Sequence, residues 1–414
     1  MRIVSFFTAK LKNKREILIT LAISLVLIIG YLFNRFILNP RTTLEETLRV
    51  GFVYDGDESI PYTNNFIRAQ HKVEELFGDK VEIFTQSNVT PDYVDDALEE
   101  LIQKKCGIIF TTSYSQEAVA KEFAEKHPDI QFCQACGDNA AQTPVLNNYH
   151  TFMGEIYQGR YVSGIVAGLK LRELIENGDI HENEAKVGYI AAYPFPTVIS
   201  GYTAFFLGVR SVMPEATMTV MYSYSWGNFS VEKANTKKLI DEGCVIISQH
   251  SDTIGPAVAC EENAEKKVFH IGYNQSMINI APGTSLVSTR INWNPYITGA
   301  VSAVLNNKKI ERAVKGHVHG NDLGAGFEQN WVQMLELNSL TVPAGAAEEV
   351  AKAVQAFKKG KVPVFQGNYT GVNPYDEEDT YDLRKEFREN ASSSAPKFCY
   401  VLRDVITVEE DSLF

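Results

Sequence analysis

The chain lacks the motifs on which most enzymes of its size would rely. It has no G-x-S-x-G, so no nucleophile elbow is encoded. It has neither a Walker A sequence nor a G-x-G-x-x-G after a strand, which removes the common phosphate cradles. Basic runs are missing beyond the N-terminus, and the formal net charge is −12. A chain so short of clustered Lys and Arg is not expected to bind nucleic acid. Cysteine is scarce. There are six, and none precedes Cys106, so no thiol stands near the N-terminal apolar run to carry a lipid. Cys133 and Cys136 form a C-x-x-C along an apparent strand, not at the opening of a helix where a dipole would activate the first thiol. No second pair or neighbouring His cluster completes a zinc site. His317 and His319 alternate in "GHVHGND" and read as a solvated strand face. No metal or cofactor is expected.

What the chain does have is apolar material, 45% of 414 residues, enough for more than one core. Part of it is a run without charge, "ILITLAISLVLIIGYLF" at residues 17–33, preceded by Arg2, Lys10, Lys12, Lys14 and Arg15. Extended to Leu38, such a run spans a bilayer core of ~30 Å at ~1.5 Å per residue. The basic flank predicts a cytoplasmic tail over 1–16 and a transmembrane signal anchor over 17–38. Everything beyond would then be extracytoplasmic. A cleaved signal peptide would end in small residues, and "YLFNRFILNPR" offers none.

From residue 48 onward, apolar strands alternate with amphipathic helices, which predicts parallel sheets covered on both faces. The pattern starts twice, at Val50-Gly51-Phe52-Val53 and at Val187-Gly188-Tyr189-Ile190. The expected architecture is α/β: two doubly wound Rossmann-like lobes with a hinge. Lobe one is predicted over 48–153 and 294–327, lobe two over 154–293 and 328–370. Residues 371–414 read as a C-terminal extension packing on a lobe. Its "DEEDTYDLRKEFRENASSSAP" portion suggests an exposed loop or short helix, and its last apolar stretch a final strand.

In open parallel sheets, ligands lie beyond the carboxyl ends of the strands. The residues there are rich in aromatics. The first loop offers Tyr62 and Asn64, and the third strand ends at Ser113 and Tyr114. The second half offers Phe195, Trp226, Asp252, Tyr273 and Asn274. Aromatic faces suit a flat ligand, and isolated polar groups would read its edge. Trp226 is expected to stack on such a ligand. Asp252 either accepts hydrogen bonds from it or caps the helix that starts near Thr253. His250 and Asp252 stand two apart in "QHSD", but no Ser or Cys nucleophile accompanies them, so catalysis is not expected.

The stretches "GEIYQGRYVSGIVAG", "VGYIAAYPFPTVISGYTAFFLGVRSVMPEA", "IISQHSD", "HIGYNQSM" and "RINWNPY" resemble the basic membrane protein family of periplasmic-binding-type receptors. That resemblance covers about residues 48–370. It implies a type I periplasmic-binding-protein fold, a purine nucleobase or nucleoside ligand, and ABC permease and ATPase subunits as partners. Trp293 of "RINWNPY" joins the site on the same ground. Nucleoside-binding members carry Asp at the position of Asn274 and Lys at that of Arg290, and the "YPFP" and "QHSD" forms resemble the branch that takes a free base. The base-binding branch resembles Gly-Trp-Thr-Tyr where this chain has Ser59-Ile60-Pro61-Tyr62. A membrane-anchored sensor with the same cleft and no transporter is the alternative reading.

Overall fold

The computed structural model describes residues 14–33, 47–137 and 140–409. The chain divides into two units, Met1–Thr47 and Leu48–Phe414. The first contains helix α1, Lys14–Phe33. Its described side chains, at residues 19 and 21–30, are all exposed. Among the described residues no helix is long and apolar enough to cross a membrane. Most of the predicted basic tail and the predicted end of the span at 34–38 lie outside the described residues.

The second unit opens with β1 (Leu48–Val53), α2 (Pro61–Phe77), β2 (Val81–Gln86), α3 (Val94–Gln103), β3 (Ile108–Thr111), α4 (Glu117–Lys126), β4 (Gln131–Ala135) and β5 (Tyr149–Gly154). In α3, residues Val94, Ala97, Leu98 and Leu101 are buried, and Asp95 and Asp96 sit in the first turn, where the helix dipole favours negative charge. All four residues of β3 are buried. A continuous apolar strand of this kind needs cover on both faces.

The pattern then repeats with α5 (Ile156–Glu176), β6 (Lys186–Ala191), α6 (Pro196–Arg210), β7 (Thr217–Tyr222), α7 (Phe229–Asp241), β8 (Ile246–His250), α8 (Gly255–Glu261), β9 (Phe269–Tyr273) and β10 (Ser285–Ile291). Helix α6 opens at Pro196, a residue that suits a first helical turn. Next come α9 (Asn294–Leu305), α10 (Ile310–Ala313), β11 (His317–His319), β12 (Asp322–Ala325), β13 (Val332–Met334) and α11 (Ala346–Lys358). The chain ends with β14 (Thr370–Asn373), β15 (Asp376–Asp382), β16 (Val401–Leu402) and β17 (Ile406–Glu409).

Two mixed sheets result. One runs β11-β12-β5-β4-β3-β1-β2 and the other β13-β10-β9-β8-β6-β7-β17. Only β11 and β13 pair antiparallel, each at an edge. In both sheets the chain reverses its direction of build at the first strand laid down, β1 or β6, and this switch point is where a crevice opens. β12 enters the first sheet beside β5, and Trp293 stacks on Phe66 of α2 at 4.4 Å, so chain from after residue 291 returns to the first sheet.

The C-terminal region departs from expectation. Strands β15, β14 and β16 form a small antiparallel sheet where a loop or short helix was predicted. The Ser-rich stretch is buried, with Ser393 and Ser394 each 1% exposed. Composition suggested solvent, but the Ser394 hydroxyl is paired with Thr151 Oγ1 at 3.0 Å, which removes the cost of burial.

Helices α5 and α6 cross with almost no side-chain layer between them. A Cβ on Gly164 would lie 2.0 Å from the Phe205 carbonyl oxygen, and one on Gly208 would lie 2.1 Å from that of Tyr161. Only glycine permits this approach. Gly164→Ala should therefore lower the unfolding free energy by ~1–3 kcal/mol, the usual range for overpacking. Chemical denaturation measures it, and an unchanged midpoint would show that the helices separate freely.

Candidate functional site

Strand direction assembles the site. Past β1, β3 and β4, and at the end of β5, the first sheet presents Asp55, Tyr62, Ser113, Tyr114, Cys136 and Met153 to one cavity of about 130 Å³. From the second sheet come Phe195, Pro196 and Thr197 after β6, Trp226 after β7, His250 and Asp252 at the end of β8, and Tyr273 at the end of β9. Ala395, Pro396 and Lys397 complete the wall. This space is about ten times the ~10–15 Å³ that one water requires, which admits a small organic molecule.

Rings close the cavity from both sides. Tyr114 and Phe195, one from each sheet, stack at 5.9 Å with 21° between planes. Phe195 stacks in turn on Tyr193 at 5.2 Å, and Trp226 meets Tyr193 edge-on at 5.4 Å. A flat ligand between Tyr114 and Phe195 would need about 7 Å, twice a carbon contact of ~3.5 Å. As they stand, these two rings are too close to admit one.

Two carboxyls face the interior. Asp55 is exposed at the cavity surface, yet the surrounding walls desolvate it and raise its pKa, against hydrogen bonds from Ser113 and Thr63. Burial pushes Asp252 up to about 7. The Asn274 amide opposes that shift by donating to Asp252 Oδ1 at 2.8 Å, and the charges of Asp55 and Glu232 reinforce it. Glu232, itself raised by burial, lies behind, accepting from Ser251 Oγ and Thr253 Oγ1 at 2.7 Å each. Under the floor is Arg160 of α5, fully buried, with its guanidinium 3.8 Å from the centre of the Tyr273 ring. Its Nη1 donates to the Gln249 carbonyl at 2.8 Å. Burial, and then the Arg160 charge, hold His250 well below the ordinary imidazole range. His250 is therefore neutral at physiological pH.

Of the sequence-predicted residues, Tyr62, Ser113, Tyr114, Phe195, Trp226, Asp252 and Tyr273 meet in the cavity. Three do not line it. Asn64 turns to the preceding loop, donating to the Glu58 carbonyl at 2.9 Å. Trp293 is 1% exposed and belongs to the core against Phe66. Asn274 adopts φ +62°, a left-handed conformation Asn tolerates, and its carbonyl accepts from Asn65 Nδ2 at 3.0 Å. It orients Asp252 and ties the two halves instead of facing the cavity. Arg290 is also elsewhere, bonded to Gln333 Oε1 at 3.0 and 2.9 Å. Asp252 caps no helix, because α8 begins after Ile254 and Thr253 Oγ1 serves the Gly255 amide.

Several cavity residues escaped the sequence reading. Asp55 sits one residue past a strand-end tyrosine and was legible by position. Cys136 read as structural, but it leaves β4 with φ +57° and its Sγ comes 2.9 Å from Tyr62 Oη. Burial pushes this thiol up to about 12, so little of it is thiolate near neutral pH and no catalytic role is assigned to it. Nothing in the sequence pointed to Ala395–Lys397. Among the described residues no group of three or more His, Cys, Asp or Glu could hold a metal.

Comparison with known proteins agrees with this architecture. A family described as ABC transporter substrate-binding protein PnrA-like (Bmp) matches residues 49–341. A purine-binding protein of Brucella abortus is 30% identical over 334 residues, 80% of this chain and 87% of that one. A Haloferax volcanii protein named for glucose binding in an ABC transporter is also 30% identical, over 78% of this chain and 75% of its own. A solute-binding protein of Aeropyrum pernix superposes with a TM-score of 0.59 at 15% identity, covering 76% of this chain and 87% of that one.

The raised Asp252 pKa has a sign. In the folded state Asp252 holds its proton up to about 7, while an unfolded carboxyl loses it near its ordinary value of 3.8. Its contribution to stability is therefore present below ~4, falls as pH rises from ~4 to ~7, and is flat above. Asp252→Asn keeps the acceptor for Asn274 without the charge. Relative to the parent, this variant should gain on the order of 2 kcal/mol between pH 5 and 8 in the absence of ligand. Urea melts at the two pH values measure it, and parallel stabilities would show that Asp252 ionises normally.

Proposed function

The chain belongs to the Bmp family of ABC transporter substrate-binding proteins, and on that premise we propose that it is a receptor for a purine, a free nucleobase before a nucleoside. The observation that carries this reading is the meeting of two carboxyls, Asp55 and Asp252, from opposite sheets in one aromatic-walled cavity. A purine base is flat and carries N–H groups along its edge, the complement of acceptors set among rings. Tyr62, Ser113, Tyr114, Phe195, Trp226 and Tyr273 are the proposed contacts beside the two acids. The purine-binding relative supports the ligand class. Solute-binding proteins of ABC importers bind small ligands and work with permease and ATPase subunits, and no reaction is assigned to the site.

We propose that the two sheets act as lobes around this cavity, 48–153 with 294–327 and 154–293 with 328–370, and that the C-terminal extension from residue 371 packs on a lobe. Opening would part Tyr114 from Phe195 and Asn65 from Asn274. We further propose that residues 17–38 anchor the chain in the cell membrane, with the receptor on the extracytoplasmic side. This rests on the uncharged run and the basic residues before it.

Calorimetric titration with adenine, guanine, hypoxanthine, their nucleosides and glucose tests the ligand. A purine base should bind, and its affinity should fall by about tenfold per pH unit below ~7, since Asp252 must lose its proton before accepting an N–H. Asp252→Asn should abolish that slope and weaken binding at pH 8 by ~1.5–3 kcal/mol. Binding of glucose but of no purine would overturn the assignment.

The anchor has its own check. The full-length chain should stay with the membrane fraction through an alkaline carbonate wash. Release into the supernatant at full length would reject it.

A further inference from the structure

The cavity has a wall that the family match does not contain. That match ends at residue 341, whereas Ala395, Pro396 and Lys397 lie against the ligand space. The segment carrying them is fastened at both ends to itself. The Glu389 carboxylate accepts the backbone amides of Lys397 at 2.7 Å and Phe398 at 3.0 Å. The Asn390 amide nitrogen donates to the carbonyls of Ser394 at 2.6 Å and Ser393 at 3.3 Å, with Asn390 in the left-handed region at φ +57°. A loop closed by four such bonds holds its shape.

It is also fastened to both sheets. Toward the first, the Ser394 hydroxyl donates to Thr151 Oγ1 on β5 at 3.0 Å, because Thr151 spends its own proton on Asp322 Oδ1 at 2.7 Å. Toward the second, Thr203 of α6 donates to the Tyr400 carbonyl at 3.2 Å. Beyond it, β17 pairs with β7 over four residues. Phe398 is fully buried and stacks on Phe365 at 4.1 Å, which seats the segment in the core.

We propose that residues 389–400 form a rigid strap that sets the upper size limit of the ligand, admitting a free base and excluding a base that carries a ribose. Rigidity is the point of the argument. A flexible loop would yield to a larger ligand, whereas this one could move only by breaking buried hydrogen bonds or unstacking Phe398. The inference takes its choice of ligand from the purine reading, but the wall itself does not depend on that reading.

Two readouts separate the strap from the ligand. The first titrates the parent and the Pro396→Gly/Lys397→Ala variant with a purine base and its nucleoside. The parent should prefer the base by at least about tenfold, and the variant should lose most of that preference, read as the ratio of the two dissociation constants. The second uses Cys136, whose thiol lies in the cavity, in a Cys399→Ser background. At alkaline pH, where more of the Cys136 thiol is ionised, a small methanethiosulfonate should label the parent at least about tenfold faster than a bulky one, and the variant should bring the two rates together. Lys397→Ala alone, at an exposed side chain, should show an intermediate ratio and serves as a control for folding. Convergent labelling rates in a protein that binds no purine would keep the strap and discard the purine. Unchanged rate ratios in both variants would overturn the strap, whatever ligand binds.

Discussion

Within each large sheet every strand but one edge strand runs the same way, and that constraint decides which side chains can meet. Parallel neighbours cannot be joined by tight turns, so the connections cross a face, most of them as helices and those from β4 to β5 and from β9 to β10 as long loops, and each strand delivers its carboxyl end to the same rim. Ten of the thirteen cavity residues that belong to the sheet regions follow from this: they sit at or just past such an end. The other three, Tyr62, Pro196 and Thr197, lie on the first turns of the helices that leave those ends. The rims of two sheets turned toward each other enclose a space without any further device.

The charges in that space are arranged by depth. Asp55 and Asp252 are at its surface, Glu232 lies behind Asp252, and Arg160 lies below Tyr273. Burial raises all three acids, and the charges of Asp55 and Glu232 raise Asp252 further. On His250 burial, and then the Arg160 charge, act the other way, and it stays neutral. The proton that comes and goes near neutrality therefore belongs to Asp252.

The sequence disclosed whatever depends on period and strand ends. The two restarts at Val50 and Val187 located both sheets, and seven cavity residues were named from their positions alone. Asn274 and Trp293 do not line the cavity, because neither position after a strand nor a family resemblance gives the direction of a side chain. A left-handed φ turned Asn274 toward Asp252, and the stacking of Trp293 on Phe66 drew that ring into the core. Burial of "SSSAP" was illegible for a different reason. Its cost is offset by one hydroxyl at Thr151 and by amide and carboxylate bonds from Glu389 and Asn390, partners distant in sequence or two to nine residues away across an irregular loop. No hydrophobic period announces such a loop.

The glycine crossing of α5 and α6 bears on how movement would spread. Side chains between helices act as a cushion, since rotamers can shift and take up a small displacement. Here backbone meets backbone at Gly164 and Gly208, and there is nothing to compress. Helix α5 starts at Ile156, directly after the chain leaves the first sheet, and α6 starts at Pro196, in the wall of the cavity. The pair is thus a stiff linkage, in the mechanical sense, between the crossover and the ligand space. A tilt applied at one end would reach the other without slack.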